Sequence, residues 1–305
     1  MQYLKIAPEV KEALAGGRPV VALESTVITH GLPYPDNLAI AREMEGAVRA
    51  AGALPATIAI LDGRIVVGLD AGQLERLAQA EGVRKCSRRD ISIAVARKEV
   101  GATTVAGTMV VAQMAGVRLF ATGGIGGVHR GHPFDVSADL VELGRTPVCV
   151  VCAGAKSLLD LPATMEVLET QGVPVVGYRT DAFPAFYTPD SGLRVTVRAD
   201  SPAEVAALLR AQDSLPEVSG GTLVTVPVPA AEALEPAEAE AAIAEAVRRA
   251  EAQGIVGPAV TPFLLAQIAG ITDGRSVRAN RALLLNNCRV AAQIAAALAE
   301  GVEDG

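Results

Sequence analysis

The sequence predicts an α/β protein, a three-layer arrangement with a mainly parallel central sheet and helices on both faces. Two observations predict it. Short apolar runs that read as buried strands alternate with segments of helical period almost throughout the chain, the pattern of strands joined by helical crossovers. Glycines, acids and single lysines gather just beyond the apolar runs, and open α/β sheets place their ligands at the carboxyl ends of their strands.

Residues 2–15 read as a helix, and 18–23 as a short buried strand that delivers Glu24, Ser25 and Thr26 at its end. The loop HGLPYPDN leads to a helix over 37–51, on which Leu38, Met44 and Val48 share a face. Residues 56–61 and 64–67 flank Asp62-Gly63, a hairpin signal. Residues 71–80 are helical and 83–86 form a short strand, after which Ser87 or Asp90 caps a helix running to Glu99. Residues 103–105 are extended and lead into a helix over 108–115.

The stretch 121–156 organises the rest. It follows the strand 116–120 and opens with a turn containing Gly123, Gly124, Gly126 and Gly127. His129 and Arg130 come next, then Asp135, Ser137 and Asp139. The run TPVCVV is a second buried strand, and Lys156 stands just beyond it. Downstream, 161–171 is a helix begun by Pro162, 174–177 a strand, 189–197 mostly loop and strand, 201–211 a capped helix and 222–226 a strand. From Pro236 the chain is helical and Ala-rich, ending in a long segment over 275–299. No internal repeat is present. The linker-like stretch 213–221 is too short to mark a boundary, so residues 1–305 read as a single domain.

Composition narrows the function. The chain has 305 residues, is 50% hydrophobic and carries a formal net charge of −7, enough for one large core or two modest ones. No basic stripe occurs, aromatics are 3% and tryptophan is absent, which argues against nucleic-acid binding. The N-terminus MQYLKIAPEVKEAL lacks a signal-peptide pattern, and no run of about 18 uncharged apolar residues exists. The expectation is a cytoplasmic protein without a membrane span. Cys149 and Cys152 have CxxC spacing but lie in an apolar strand, where an offset of three puts them on opposite faces; with Cys86 and Cys288 they read as buried core.

Each candidate site residue has a plain reading beside a chemical one. The Gly-rich turn fits neither a dinucleotide fingerprint nor a Walker loop, and is either a tight turn or a place where amides approach an anion such as phosphate. Asp135 and Asp139 are one helical turn apart if 136–144 is helical. Either Asp135 or Ser137 caps that helix, or one carboxylate holds a hydrated Mg²⁺ or Mn²⁺. Lys156 is either a solvated lysine or an amine that sheds its proton readily in a cleft and attacks a carbonyl or a sugar C1. Glu24 is a surface acid or a general acid or base at the same sheet edge. Lys85, at another strand end, is a solvated cation or the partner of a substrate anion.

In combination the motifs are specific. ALESTVITHGLPYPDN, KCSRRD, GATTVAGTM, FATGGIGGVHRG, FDVSADL, CAGAKSLLDLPATMEVLET and GRSVRANRALLLNN follow one another in a single order. Over residues 6–299 the chain resembles the pseudouridine-5′-phosphate glycosidases, also called the indigoidine synthase A-like family. The resemblance implies that fold, a homotrimer, one divalent ion, usually Mn²⁺, and reversible cleavage of the C–C glycosidic bond of pseudouridine 5′-phosphate to uracil and ribose 5-phosphate. Carried over by motif, Lys156 of AGAKS is the nucleophile, Glu24 of ALEST the proton donor and Asp135 of FDVSAD the metal ligand. Ser137, Ala138 and Asp139 contact substrate directly or through metal-bound water, and Lys85 and Val105 match substrate-binding positions. Thr122, His129 and Asn280 are further pocket residues. One departure is visible: between HRG and FDVSAD stand only His132 and Pro133.

The chemistry explains this set. A base attached through carbon is a poor leaving group for simple oxocarbenium departure. An amine attacking C1′ while the ring oxygen is protonated opens the ribose; uracil C5 must receive a proton, and a lysine–ribose imine is left as the base departs. Two rivals share parts of the pattern. A Schiff-base aldolase on another sugar phosphate releases no uracil, and a sugar-phosphate-binding or kinase-like module tolerates loss of Lys156.

Overall fold

A computed structural model describes residues 2–218, 220–255 and 260–300. The chain begins at the edge of the sheet, where β1 (Leu4–Ile6) runs parallel to a later strand, and Pro8 then opens α1 (Pro8–Ala15). The helix expected over 2–15 is therefore a strand and a shorter helix, since Pro8 has the fixed φ of a first helical residue and no amide to extend a helix backwards. β2 (Val20–Leu23) is buried along its whole length and feeds the single turn α2 (Thr26–Thr29) and then α3 (Asp36–Ala50). β3 (Leu54–Leu61) and β4 (Arg64–Val67) form the expected hairpin, with Asp62 and Gly63 at φ 52° and 74°. Positive φ at both central residues matches the twist of paired strands.

Next come α4 (Ala71–Gln79), capped by Asp70, then β5 (Arg84–Cys86) and α5 (Arg88–Ala96). β6 (Gly101–Thr103) leads to α6 (Val105–Ala115), which starts three residues earlier than its apolar pattern suggests, because the Thr104 side chain accepts the Gly107 amide as an N-cap. β7 (Leu119–Ala121) precedes the Gly-rich turn. Then β8 (Val128–His129) and β9 (His132–Val136) make a small hairpin before α7 (Ala138–Leu143). β10 (Cys149–Cys152), β11 (Leu159–Asp160), α8 (Leu161–Thr170), β12 (Val175–Tyr178), β13 (Val197–Ala199), α9 (Pro202–Asp213) and β14 (Thr222–Thr225) follow. The chain closes with α10 (Pro236–Ala252), α11 (Val260–Ile271) and α12 (Arg275–Glu300).

The main sheet has the order β1-β4-β3-β2-β7-β10-β14-β12-β13, with β6 and β5 branching from β3. Every pairing is parallel except those of β3 with β4 and β6. A second sheet, β11-β8-β9, was not foreseen. α12 lies along β2, β7 and β10 with α3 and α9 beside it, while α6 packs on β2, β6 and β7 and carries α7 and then α8. This is the α/β class with a mainly parallel sheet flanked by helices. α12 is long and apolar enough on composition to cross a membrane, but Leu283, Leu284, Ala291 and Ile294 are buried against the sheet, as in a core helix.

Candidate active site

Glu24 follows the last residue of β2 and is buried, with 7% of its surface exposed. Its two carboxylate oxygens accept hydrogen bonds from the Thr122 and Thr26 hydroxyls. Ser25 fixes the backbone here, since its Oγ accepts the Thr103 amide at 2.8 Å and ties the end of β2 to the end of β6. Thr122 comes from the end of β7, the next strand of the sheet. The glutamate is therefore held at one orientation by hydroxyls from its own turn and its neighbour.

Asp139 is equally buried and differently used. One oxygen accepts the Ala106 amide at 2.8 Å and the other the Gly126 amide at 2.9 Å. The carboxylate thus joins the first turn of α6 to the Gly-rich turn. That turn does approach an anion with its backbone, and the anion at Gly126 is the protein's own. A Cβ on Gly126 would meet Ser137 Oγ at 2.3 Å, so only glycine brings the amide this close. Ser137, not Asp135, caps α7. The helical pairing of Asp135 with Asp139 does not occur: Asp135 lies on β9 and is exposed, because the backbone stays extended through Val136.

Lys156 is half-buried beyond β10. Gly154, at φ 83°, turns the chain; Ala155 then bridges to Ile125, and the Lys156 amide donates to the Ile125 carbonyl at 3.1 Å. The turn after β7 and the turn after β10 are stitched together, and the lysine follows that stitch.

These residues meet in a cavity of about 160 Å³. Glu24, Lys85 and Lys156 line it, with Val105, His129, Ser137 and Asp139 in its walls. Lys85 is exposed as a whole residue, but where its amine borders the cavity desolvation and then the positive charge of Lys156 lower its pKa from the ordinary value, against the pull of Asp139 and Glu24. Ser87, Thr104 and Ser137, the N-cap residues of α5, α6 and α7, also line the cavity. Three helix starts and Lys85 therefore border one space with the Glu24 and Asp139 carboxylates; Asp139 and Thr104 already take the Ala106 and Gly107 amides of α6, which leaves Lys85 and the remaining first-turn amides to meet an anion. Sequence reasoning did not assign Ser87 and Thr104 to the site, although a hydroxyl residue ahead of each helix is the signal that finds them.

Thr122 stands behind Glu24 rather than on the cavity surface. Asn280, on α12, is half-buried beside Gly123, and Ala138 is exposed at the start of α7; neither lines the cavity. Asp135 lies outside it as well, its carboxylate 66% exposed and 3.9 Å from His129 Nδ1. Among the described residues no three His, Cys, Asp or Glu side chains gather as a metal-ligand set. A single exposed carboxylate is too small a donor set for zinc, and a hard cation held there would keep most of its water. All four cysteines are free and buried, and burial pushes the Cys149 and Cys152 thiols up to about 12, so the CxxC spacing carries no thiolate chemistry.

The family model for indigoidine synthase A like protein matches residues 9–297. The chain belongs to the indigoidine synthase A-like family. It is 59% identical over 302 residues to the pseudouridine-5′-phosphate glycosidase of Chloroflexus aurantiacus, covering 97% of this chain and 99% of that one. To the protein of the same name from Solibacter usitatus it is 57% identical, covering 96% and 98%. Two solved structures of this fold superpose closely. The prealnumycin C-glycosynthase AlnA in complex with ribulose 5-phosphate gives a TM-score of 0.92 at 44% identity over the whole of both chains. An indigoidine synthase A-like protein from Thermotoga maritima gives 0.88 at 36% identity, covering 97% and 96%. The chain is an enzyme of this indigoidine synthase A-like family.

Proposed function

We propose that this enzyme cleaves the C–C glycosidic bond of pseudouridine 5′-phosphate, reversibly, to give uracil and ribose 5-phosphate. The observation that carries the reading is the convergence of Lys156 and Glu24 on one cavity beneath the N-termini of α5 and α6. The names of the relatives and the sugar phosphate bound in the AlnA structure support the substrate class.

In this reading Lys85 and the helix N-termini hold the 5′-phosphate and place C1′ near Lys156. The Lys156 amine attacks C1′, the ring oxygen leaves with a proton, and the ribose opens. C5 of the base takes a proton, and the nitrogen lone pair then expels uracil as the C1′–C5 bond breaks, leaving a lysine–sugar imine. Water hydrolyses the imine to ribose 5-phosphate and frees the amine. Glu24, held by Thr122 and Thr26, serves the proton transfers. Asp135 is the residue to hold a hydrated Mn²⁺, which when bound orients the substrate and polarises nearby water. The homotrimer implied by the resemblance belongs to the same reading, and light scattering of the purified chain tests it.

The deciding experiment is incubation with pseudouridine 5′-phosphate and Mn²⁺. Free uracil is the expected product, and its absence would favour the Schiff-base aldolase on another sugar phosphate.

A further inference from the structure

We infer that Arg130 is a positioning residue for Lys156. His129 and Arg130 are successive residues at the end of β8; His129 lines the catalytic cavity, while Arg130 reaches the backbone that follows Lys156. Its Nη2 donates to the Ser157 carbonyl at 3.0 Å and its Nε to the Leu159 carbonyl at 3.2 Å. The same guanidinium grips Glu240 of α10 with Nη1 at 2.6 Å and Nη2 at 3.2 Å. That ion pair holds the Glu240 carboxyl below the usual range.

Four hydrogen bonds thus converge on one planar group, and two of them fix carbonyls one and three residues past the nucleophile. On its other side Lys156 is fixed by the Ile125 carbonyl, and β11 pairs Leu159 with His129. Arg130 supplies the side-chain hydrogen bonds to a segment, 157–159, that is otherwise held by the β8–β11 pairing, by the Leu159 amide donating to the Lys156 carbonyl at 3.0 Å and by burial of Leu158 and Leu159. Leu158 and Leu159, in that segment, also form cavity wall. Loss of the guanidinium lets the segment and the Lys156 backbone drift, and a displacement of about 1 Å at a reacting group lowers turnover by roughly 100-fold. The phosphate-binding face, made by Lys85 and the helix N-termini, is untouched by Arg130. The larger effect therefore falls on kcat, with the shift of the Leu158–Leu159 wall giving only a small change in KM.

The proposal rests on Lys156 being the nucleophile of the reading above. The test compares Arg130→Gln, Arg130→Lys and Glu240→Gln with the unaltered enzyme. Arg130→Gln is expected to lower kcat by ~10- to 100-fold with KM changed by less than about threefold. Arg130→Lys keeps the charge without the planar fork and is expected not to restore the rate. Glu240→Gln leaves both carbonyl contacts and is expected to keep kcat within about threefold. Hydrogen exchange of the peptide covering 157–160 is expected to quicken in both Arg130 variants and not in Glu240→Gln.

Wild-type kcat in either Arg130 variant, or a change confined to KM, overturns the proposal. Equal losses in Glu240→Gln and Arg130→Gln also overturn it, since the tether to α10 would then be what matters. If Arg130→Gln does not fold, Arg130→Lys decides by the same readouts. If the unaltered enzyme releases no uracil, the functional reading fails separately. Borohydride trapping of ribose 5-phosphate on Lys156 and the exchange of 157–160 then still decide the role of Arg130.

Discussion

Glu24 and Lys156 were visible in the sequence because they stand one and four residues beyond short apolar strands, and the ends of parallel strands face the ligand side of a sheet; Lys85 was visible only as a lone lysine in a short strand, and it is the middle residue of β5. If Lys156 is the nucleophile, Lys156→Ala is expected to abolish uracil release, by more than ~1,000-fold, together with any borohydride-trapped sugar adduct. Lys156→Arg is expected to behave alike, since arginine stays protonated and cannot attack. A near-normal Lys156→Arg rate, or an adduct mapped to another lysine, would move the role elsewhere. The lowered Lys85 amine sets a pH dependence. Its charge is present below its folded pKa and lost as pH rises through it, so if Lys85 holds the phosphate, KM for a phosphate ester is expected to climb at lower pH than an unperturbed lysine would allow. Lys85→Arg should flatten that climb, and an unchanged alkaline limb in Lys85→Arg would show that another group is responsible. For the metal, chelation is expected to abolish activity, Mn²⁺ to restore it, and Asp135→Ala to weaken the rescue; full turnover in excess chelator would remove Asp135 from that role. Asp135 was the least legible of these residues, because periodicity cannot separate the last turn of an extended segment from the first turn of a helix.

At the scale of elements, Asp139 does structural work that its motif did not reveal. It bonds the start of α6 to the Gly-rich turn through two backbone amides. Hydrogen bonds to a buried carboxylate contribute about 1.5–3 kcal/mol each. Asp139→Asn keeps one acceptor and turns an N–H toward the other amide, so a loss of ~2–4 kcal/mol is expected in urea unfolding, with activity falling alongside. Unchanged stability with lost activity would instead mark Asp139 as a substrate contact alone. The long helices and the central strands were readable from period and caps; the β11-β8-β9 sheet was not. β8 and β11 have two residues each, too few for a period of two to register, and they pair across the chain between His129 and Leu159. Arg130 went unassigned for the same reason, since its partners are carbonyls brought near by that pairing. The start of α6 was misplaced because Val105, Ala106 and Gly107 are all buried, so the first turn shows no amphipathic signal.

Across the whole molecule, alternation of strands and helices predicted the class, but the order of the strands depends on crossovers that local sequence does not encode. That order is what builds the site. β2, β7 and β10 are adjacent in the sheet, so Glu24 meets Thr122, 98 residues away, and Lys156 follows on the next strand. Lys85 enters from β5, which hangs on β3 through β6. A cavity walled by residues from α2, β5, α6, β8, α7 and the turn after β10 exists only when the entire sheet is formed. A ligand of this cavity should therefore stabilise the chain globally and not one local unit. Ribose 5-phosphate at 100 times its dissociation constant is expected to add about 2.7 kcal/mol to unfolding, read as a single cooperative rise in Tm. Ribose without phosphate, at the same concentration, should give little or no rise, because the helix N-termini and Lys85 have no anion to hold. If binding and nucleophilic attack use different groups, the rise with ribose 5-phosphate should shrink in Lys85→Ala and persist in Lys156→Ala. Equal shifts from ribose and its 5-phosphate would place the phosphate outside this cavity and separate Lys85 from anion binding.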